Sequence, residues 1–142
     1  MPSDSFPPAV VLVVDDEEIV SRLVTRLLTH NGYTVLQAAS GEDALAIVRQ
    51  RRPPVDLVLS DVIMPGMDGT ELAGLVLAEC PGPGVILMTG QLPQEIERVN
   101  VGGHIVRVLR KPLDLDQLLE VLRATLEHFL PDEPAAVPKQ AG

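Results

Sequence analysis

Residues 9–32 read AVVLVVDDEEIVSRLVTRLLTHNG. A continuous apolar run, Ala9 to Val14, leads into a block of acids. Val20, Leu23, Val24, Leu27 and Leu28 then follow at helical spacing, with His30-Asn31-Gly32 as a stop. This reads as a buried strand followed by an amphipathic helix. The same unit recurs along the chain. Further apolar runs span Thr34 to Ala38, Val55 to Leu59, Val85 to Met88 and Ile105 to Leu109. Ser40 with Asp43 resembles a capping box opening a second helix, and Pro53-Pro54 lies beyond its end. Gly69 to Cys80 carries Leu72, Leu75 and Val76 and ends at PGPG; Pro93 to Asn100 predicts a weaker helix with Ile96 and Val99 on one face. Asp114 caps the last helix, with Gln117 three residues on and Leu115, Leu118, Leu119, Leu122 and Leu126 behind it.

Five such strands alternating with five helices predict an α/β fold. Parallel neighbours need crossover connections, and continuous rather than alternating apolar runs mean burial on both faces. A closed barrel of eight units needs about 250 residues, so an open, doubly wound five-stranded parallel sheet in the order 2-1-3-4-5 is expected. Ligands in such sheets sit outside the carboxyl ends of the strands where the order reverses.

Composition narrows the function. The 142 residues carry 11 Lys+Arg against 20 Asp+Glu, a net charge of −9, which disfavours phosphate backbones and anionic lipid. Trp is absent and only one Tyr and two Phe are present, so no aromatic platform for single-stranded nucleic acid exists. One cysteine, Cys80, allows neither an internal disulfide nor a thiolate zinc site and suits a reducing cytoplasm. No apolar run approaches the roughly 18 residues of a membrane span, and the first residues, MPSDSFPP, lack the features of a signal peptide. Residues 1–8 and 131–142, rich in Pro and without apolar periodicity, read as disordered tails around one domain at 9–130.

The polar residues cluster where the fold rule puts a site. The first strand runs into Asp15-Asp16-Glu17, the third into Ser60-Asp61, the fourth ends at Thr89 and the fifth at Lys111-Pro112. Carboxylates held close repel one another unless a cation neutralises them. Carboxylate, carbonyl and water together suit Mg²⁺, and an outward carboxylate beside it is a nucleophile for phosphoryl transfer. Lys111 and the Thr89 hydroxyl would serve the equatorial oxygens.

These residues resemble the receiver domain of two-component response regulators. The resemblance rests on VVLVVDDEE, on DLVLSDVIMPGMDG, on Met-Thr-Gly at the end of the fourth strand and on Lys-Pro after the fifth, and it spans residues 9–130. It implies a flavodoxin-like (βα)5 fold and a phospho-accepting switch that catalyses only its own phosphorylation and dephosphorylation. Asp61 would be the acceptor, Asp16 the direct Mg²⁺ ligand with Asp15 assisting, and the Ile63 main-chain carbonyl a further ligand. Thr89 and Lys111 would contact the phosphoryl oxygens, and the Lys111-Pro112 bond would be cis. Gly66 and Gly69 flank the loop after the third strand, where a missing Cβ permits positive φ. The implied partners are a histidine kinase or histidine phosphotransfer protein and a downstream protein target. Nucleic acid and membrane are not expected, while a homodimer, the cognate kinase and a stand-alone or excised origin stay open.

Taken singly, each residue has a plainer role. Asp16 is an ordinary helix cap, Asp61 a turn former, Thr89 structural and Lys111 solvated. His30, His104 and His128 read as surface or partly packed side chains, and Tyr33 and Phe129 as packing residues. Two positions depart from the family pattern: Val108 stands where receivers usually carry Phe or Tyr, and Ile63 is apolar where side chains influence phosphate loss. Two other functions compete with the switch. An adaptor independent of phosphate would be indifferent to Asp61→Asn. An aspartyl-nucleophile phosphohydrolase commonly has a second acid two residues after the nucleophile, where this chain has Ile63.

Overall fold

The computed structural model describes residues 8–50, 52, 54–80, 82–90 and 97–128. Its elements run β1 (Val10–Val14), α1 (Glu18–His30), β2 (Thr34–Ala38), α2 (Gly41–Gln50), β3 (Leu57–Asp61), α3 (Gly69–Glu79), β4 (Gly84–Thr89), β5 (Arg98–Val101), β6 (His104–Arg110) and α4 (Leu115–His128). The sheet order is β2-β1-β3-β4-β6-β5. The first five strands in that order are parallel and reproduce the expected doubly wound arrangement.

Alternation along the central strands divides the core in two. Leu12, Val14, Val58, Val85 and Leu87 face α2 and α3, while Val11, Val13, Leu57, Leu59, Ile86 and Met88 face α1 and α4. Because both faces are covered, every residue of β3 and β4 is buried, and the strands are apolar without interruption. The expected caps form. Ser40 Oγ accepts from the Asp43 amide and Asp114 Oδ1 from the Gln117 amide. α1 stops at His30, and Gly32 just beyond its Asn31 cap has a φ of 94°, which suits a residue without a Cβ.

One element differs from the sequence reading. The helix expected from Pro93 to Asn100 is not formed over its described residues, because Arg98–Val101 is the strand β5, antiparallel to β6. Residues 91–96, Ile96 among them, lie outside the described ones. Among the described residues the sheet therefore has six strands rather than five, and the pairing of β5 with β6 is antiparallel. The physical cause is a hairpin. Gly102 and Gly103, both at positive φ, join Val101 to His104, and Asn100 Oδ1 accepts from the Gly103 amide. Val99 then sits opposite Val106 and packs on the α2/α3 face. A weak helical face lost to a strand pair with its own two-residue turn.

The third strand also begins two residues later than its apolar run suggests, at Leu57, and so carries Ser60 and Asp61 inside the ladder. Tyr33 is a packing residue beside the α1/α4 core and Cys80 is buried. His30 and His104 are exposed. Phe129 and, apart from residue 8, both tails expected at the ends lie outside the described residues.

Candidate functional site

Every parallel strand reaches the same edge, and four of them deliver a polar residue there. Asp15, Asp16 and Glu17 follow β1, Asp61 closes β3, Thr89 closes β4, and Lys111 follows β6. Backbone bonds hold the group in place. The Asp15 amide donates to the Ala38 carbonyl, and the Lys111 amide donates to Thr89 O at 3.0 Å. Below Asp61, Ser60 Oγ donates to the Asp61 carbonyl at 2.9 Å and the Val62 amide donates to Met88 O. The Lys111-Pro112 bond is cis.

Asp15, Asp16 and Asp61 each offer a carboxylate oxygen, all within 4.8 Å of one another. Asp15 and Asp61 are buried, whereas Asp16 is exposed. Lys111 Nζ stands among the acids, 3.0 Å from Asp61 Oδ2 and 3.2 Å from both Asp15 Oδ2 and Glu17 Oε1. Its side chain is only 18% exposed. Burial by itself would lower the lysine's pKa, but the hydrogen bonds to Asp61, Glu17 and Asp15 outweigh it and hold the pKa above 10.5, keeping the ammonium charged. Burial pushes the Asp15 carboxyl above its ordinary value, against the lowering effect of the Glu17 amide and Lys111. An open cleft of about 340 Å³ lies over the cluster, lined by Asp16, Glu17, Asp61, Ile63, Thr89 and Lys111.

All the residues expected from the sequence are thus brought together, with three refinements. Asp16 is not the cap of α1. That position is Glu17, and its amide donates to Asp15 Oδ1 at 2.9 Å. Glu17 itself is a third acid on the lysine, a role the run DDEE could have suggested because it is the next acid after the pair. Gly66 has the positive φ expected of it, at 75°, but Gly69 does not. Gly69 is needed for close approach instead: a Cβ there would collide with the main-chain oxygen of Asp61.

A family model described as the response regulator receiver domain matches residues 11–123. The chain belongs to this receiver family. Among curated relatives, the receiver is 35% identical over 129 residues to the transcriptional regulatory protein GlrR of Escherichia coli (strain K12), covering 89% of this chain and 28% of that protein. It is 33% identical over 128 residues to the response regulator MprA of Mycobacterium sp. (strain KMS), covering 89% of this chain and 54% of the relative. The chain therefore spans little more than half, or less, of the length of these proteins. The solved receiver domain of the hybrid histidine kinase CckA superposes with a TM-score of 0.70 at 36% identity, covering 83% of this chain and 99% of that one. The signal receiver domain of an HD domain-containing protein from Pseudomonas fluorescens Pf-5 gives a TM-score of 0.76 at 32% identity, covering 87% and 90% respectively.

Receivers are the signalling switches of two-component phosphorelays, working between histidine kinases and downstream effectors, and they bind Mg²⁺ at an acidic pocket. The donor set here fits that ion, since three clustered carboxylate oxygens, one of them on an exposed side chain, are hard ligands that leave room for water. Among the described residues no helix is long and apolar enough to cross a membrane.

Proposed function

We propose that Asp61 accepts a phosphoryl group from a histidine kinase or a histidine phosphotransfer protein, in a Mg²⁺-dependent reaction, and that the modified receiver presents an altered surface to a downstream protein. The observation that carries this reading is Asp61 Oδ2 at 3.0 Å from a charged lysine, beside two further carboxylates in one cleft. Asp15, Asp16, Asp61 and the Ile63 carbonyl would hold the ion, which when bound neutralises charge on the transferring group.

The remaining chemistry belongs to the chain. A carboxylate oxygen of Asp61 bonds to phosphorus, the donor's P–N bond breaks, and the imidazole leaves with the electron pair and takes a proton from water. Lys111, kept charged by its acidic neighbours, transfers its hydrogen bond from the carboxylate to a phosphoryl oxygen. Thr89 lines the same cleft and supplies a hydroxyl to another. Ile63 lines it too and is 54% exposed, placing an apolar side chain where an attacking water would approach.

Val108 shapes the output. It is buried among the α2/α3 core, with no ring to turn, so a shift triggered at Thr89 reaches the surface through backbone and loop movement and is smaller than in receivers with an aromatic there. The test is incubation with acetyl phosphate, with and without Mg²⁺, followed by intact-mass measurement. A single phosphoryl adduct that needs the metal and disappears in Asp61→Asn is expected. An adduct that persists in Asp61→Asn, or no adduct in the native chain, overturns the assignment.

A further inference from the structure

The end of the sheet opposite the acidic cleft has a second cavity. The β4–β6 pairing begins with Ile86 opposite Arg107, so His104, Ile105 and Val106 at the start of β6 lie outside that ladder, and His104 extends past the start of β4. Around this overhang lies an open cavity of about 420 Å³, within the usual size range of small-molecule sites. Leu77, Val85 and Ile105 supply apolar wall, and Arg98, His104 and Arg107 supply the polar groups. No carboxylate lines it among the described residues.

The two arginines are unusual in a chain where acids outnumber bases 20 to 11. Arg98 and Arg107 stand directly opposite each other across the β5–β6 pair, and like charges so placed repel. Neither forms an ion pair among the described residues. The Nε of Arg107 is fully buried with no hydrogen-bond partner. A buried donor left unmade is costly, and native structures rarely carry one without a reason. Ile105 is 64% exposed beside them, an apolar surface next to an unsatisfied cation.

We propose that this cavity binds a small organic oxyanion, a carboxylate or phosphate carried on an apolar body. The anion relieves the Arg98–Arg107 repulsion, guanidinium forks being suited to bidentate capture of either group. The apolar body lies against Leu77, Val85 and Ile105. The site is separate from the phosphoryl-accepting cleft, which occupies the other end of the strands.

The test is titration of the full chain, labelled with ¹⁵N, with phenyl phosphate, hexanoate and inorganic phosphate in turn. Saturable shifts of the Arg98, Ile105 and Arg107 amides and of the Arg107 Nε–H are expected with one or both organic anions. Whichever of the two binds more tightly identifies the head group. Inorganic phosphate, with no apolar body, should bind at least about tenfold more weakly. Arg107→Gln should weaken binding about tenfold or more, and Arg98→Gln, at an exposed edge position where folding is not at stake, should do the same. The proposal is overturned if neither organic anion gives saturable shifts there, if both variants bind as the native chain does, or if the shifts fall on Asp16, Thr89 and Lys111 instead.

Discussion

Replacing Gly69 by alanine adds one methyl group against a wall that cannot retreat. An ideal Cβ at this position overlaps the main-chain oxygen of Asp61 and lies 2.9 Å from both the carbonyl carbon of Asp61 and Cα of Val62. Those atoms belong to β3 and its extension, hydrogen-bonded to β1 on one side and β4 on the other, with every strand residue buried. The Gly69 amide also donates to Val62 O at 2.8 Å, which holds the two segments together. Overpacking of this kind costs about 1–3 kcal/mol. Because the atoms met are main chain, the upper part of that range applies, about 2–3 kcal/mol, and the helix preference of alanine over glycine returns at most about 1 kcal/mol, leaving a net loss of at least about 1–2 kcal/mol. At about 3 °C per kcal/mol for a domain of this size, the melting temperature should fall by about 3–6 °C. Relief by moving Asp61 would displace the proposed acceptor, so the rate of phosphorylation by acetyl phosphate should also fall about tenfold or more. Gly74→Ala on the same helix is the internal control, because its Cβ would meet only Val101 Cγ1 at 3.7 Å, an ordinary contact. It should match or slightly exceed the native stability and phosphorylate normally. Thermal unfolding followed by circular dichroism, with intact-mass kinetics, measures both quantities. If Gly69→Ala unfolds at the same temperature as Gly74→Ala and accepts phosphate at the native rate, the close-approach argument is wrong.

Three other outcomes follow from the same geometry. Asp16→Asn should weaken Mg²⁺ binding about tenfold or more while changing stability by less than about 0.5 kcal/mol, because this ligand candidate is exposed; calorimetric titration and thermal unfolding separate the two effects. Ile63→Asn should speed loss of the phosphoryl group by giving water a polar approach, and equal decay rates in the two proteins would exclude a barrier role for the isoleucine. Lys111 has a folded pKa above its ordinary 10.5, so its stabilising contribution is complete below 10.5 and declines as the pH rises through the raised value. The stability difference between the native chain and Lys111→Met should therefore be flat from about pH 7 to 10 and shrink above 10.5, as denaturant titrations would register.

The parallel strands were legible because burial on both faces imposes continuous apolar runs, and the acids were legible because they interrupt those runs at one consistent end. The hairpin at β5 was harder to see. Its Val-Asn-Val-Gly-Gly-His-Ile-Val places a glycine pair between two β-prone segments, yet Val99 also fits a weak helical face with Ile96, and pairing with β6 decided against the helix. The role of Glu17 is hidden for another reason: at a strand end, which of several adjacent acids reaches a distant lysine depends on side-chain direction and not on spacing.

By itself the sequence determined the element pattern apart from β5, the membership of Asp15, Asp16, Asp61, Thr89 and Lys111 in one cluster, and the caps that start α2 and α4, since periodicity and local hydrogen bonding act over a few residues. Only the tertiary structure decided what depends on residues far apart in the chain. The ion pair of Lys111 with Asp15 spans 96 positions, Gly69 has no room for a methyl group only because α3 starts against the end of β3, and Arg98 confronts Arg107 only because two glycines fold one strand back on the other. Contact and charge energies fall off over a few ångströms, so they are set by where the chain returns to itself.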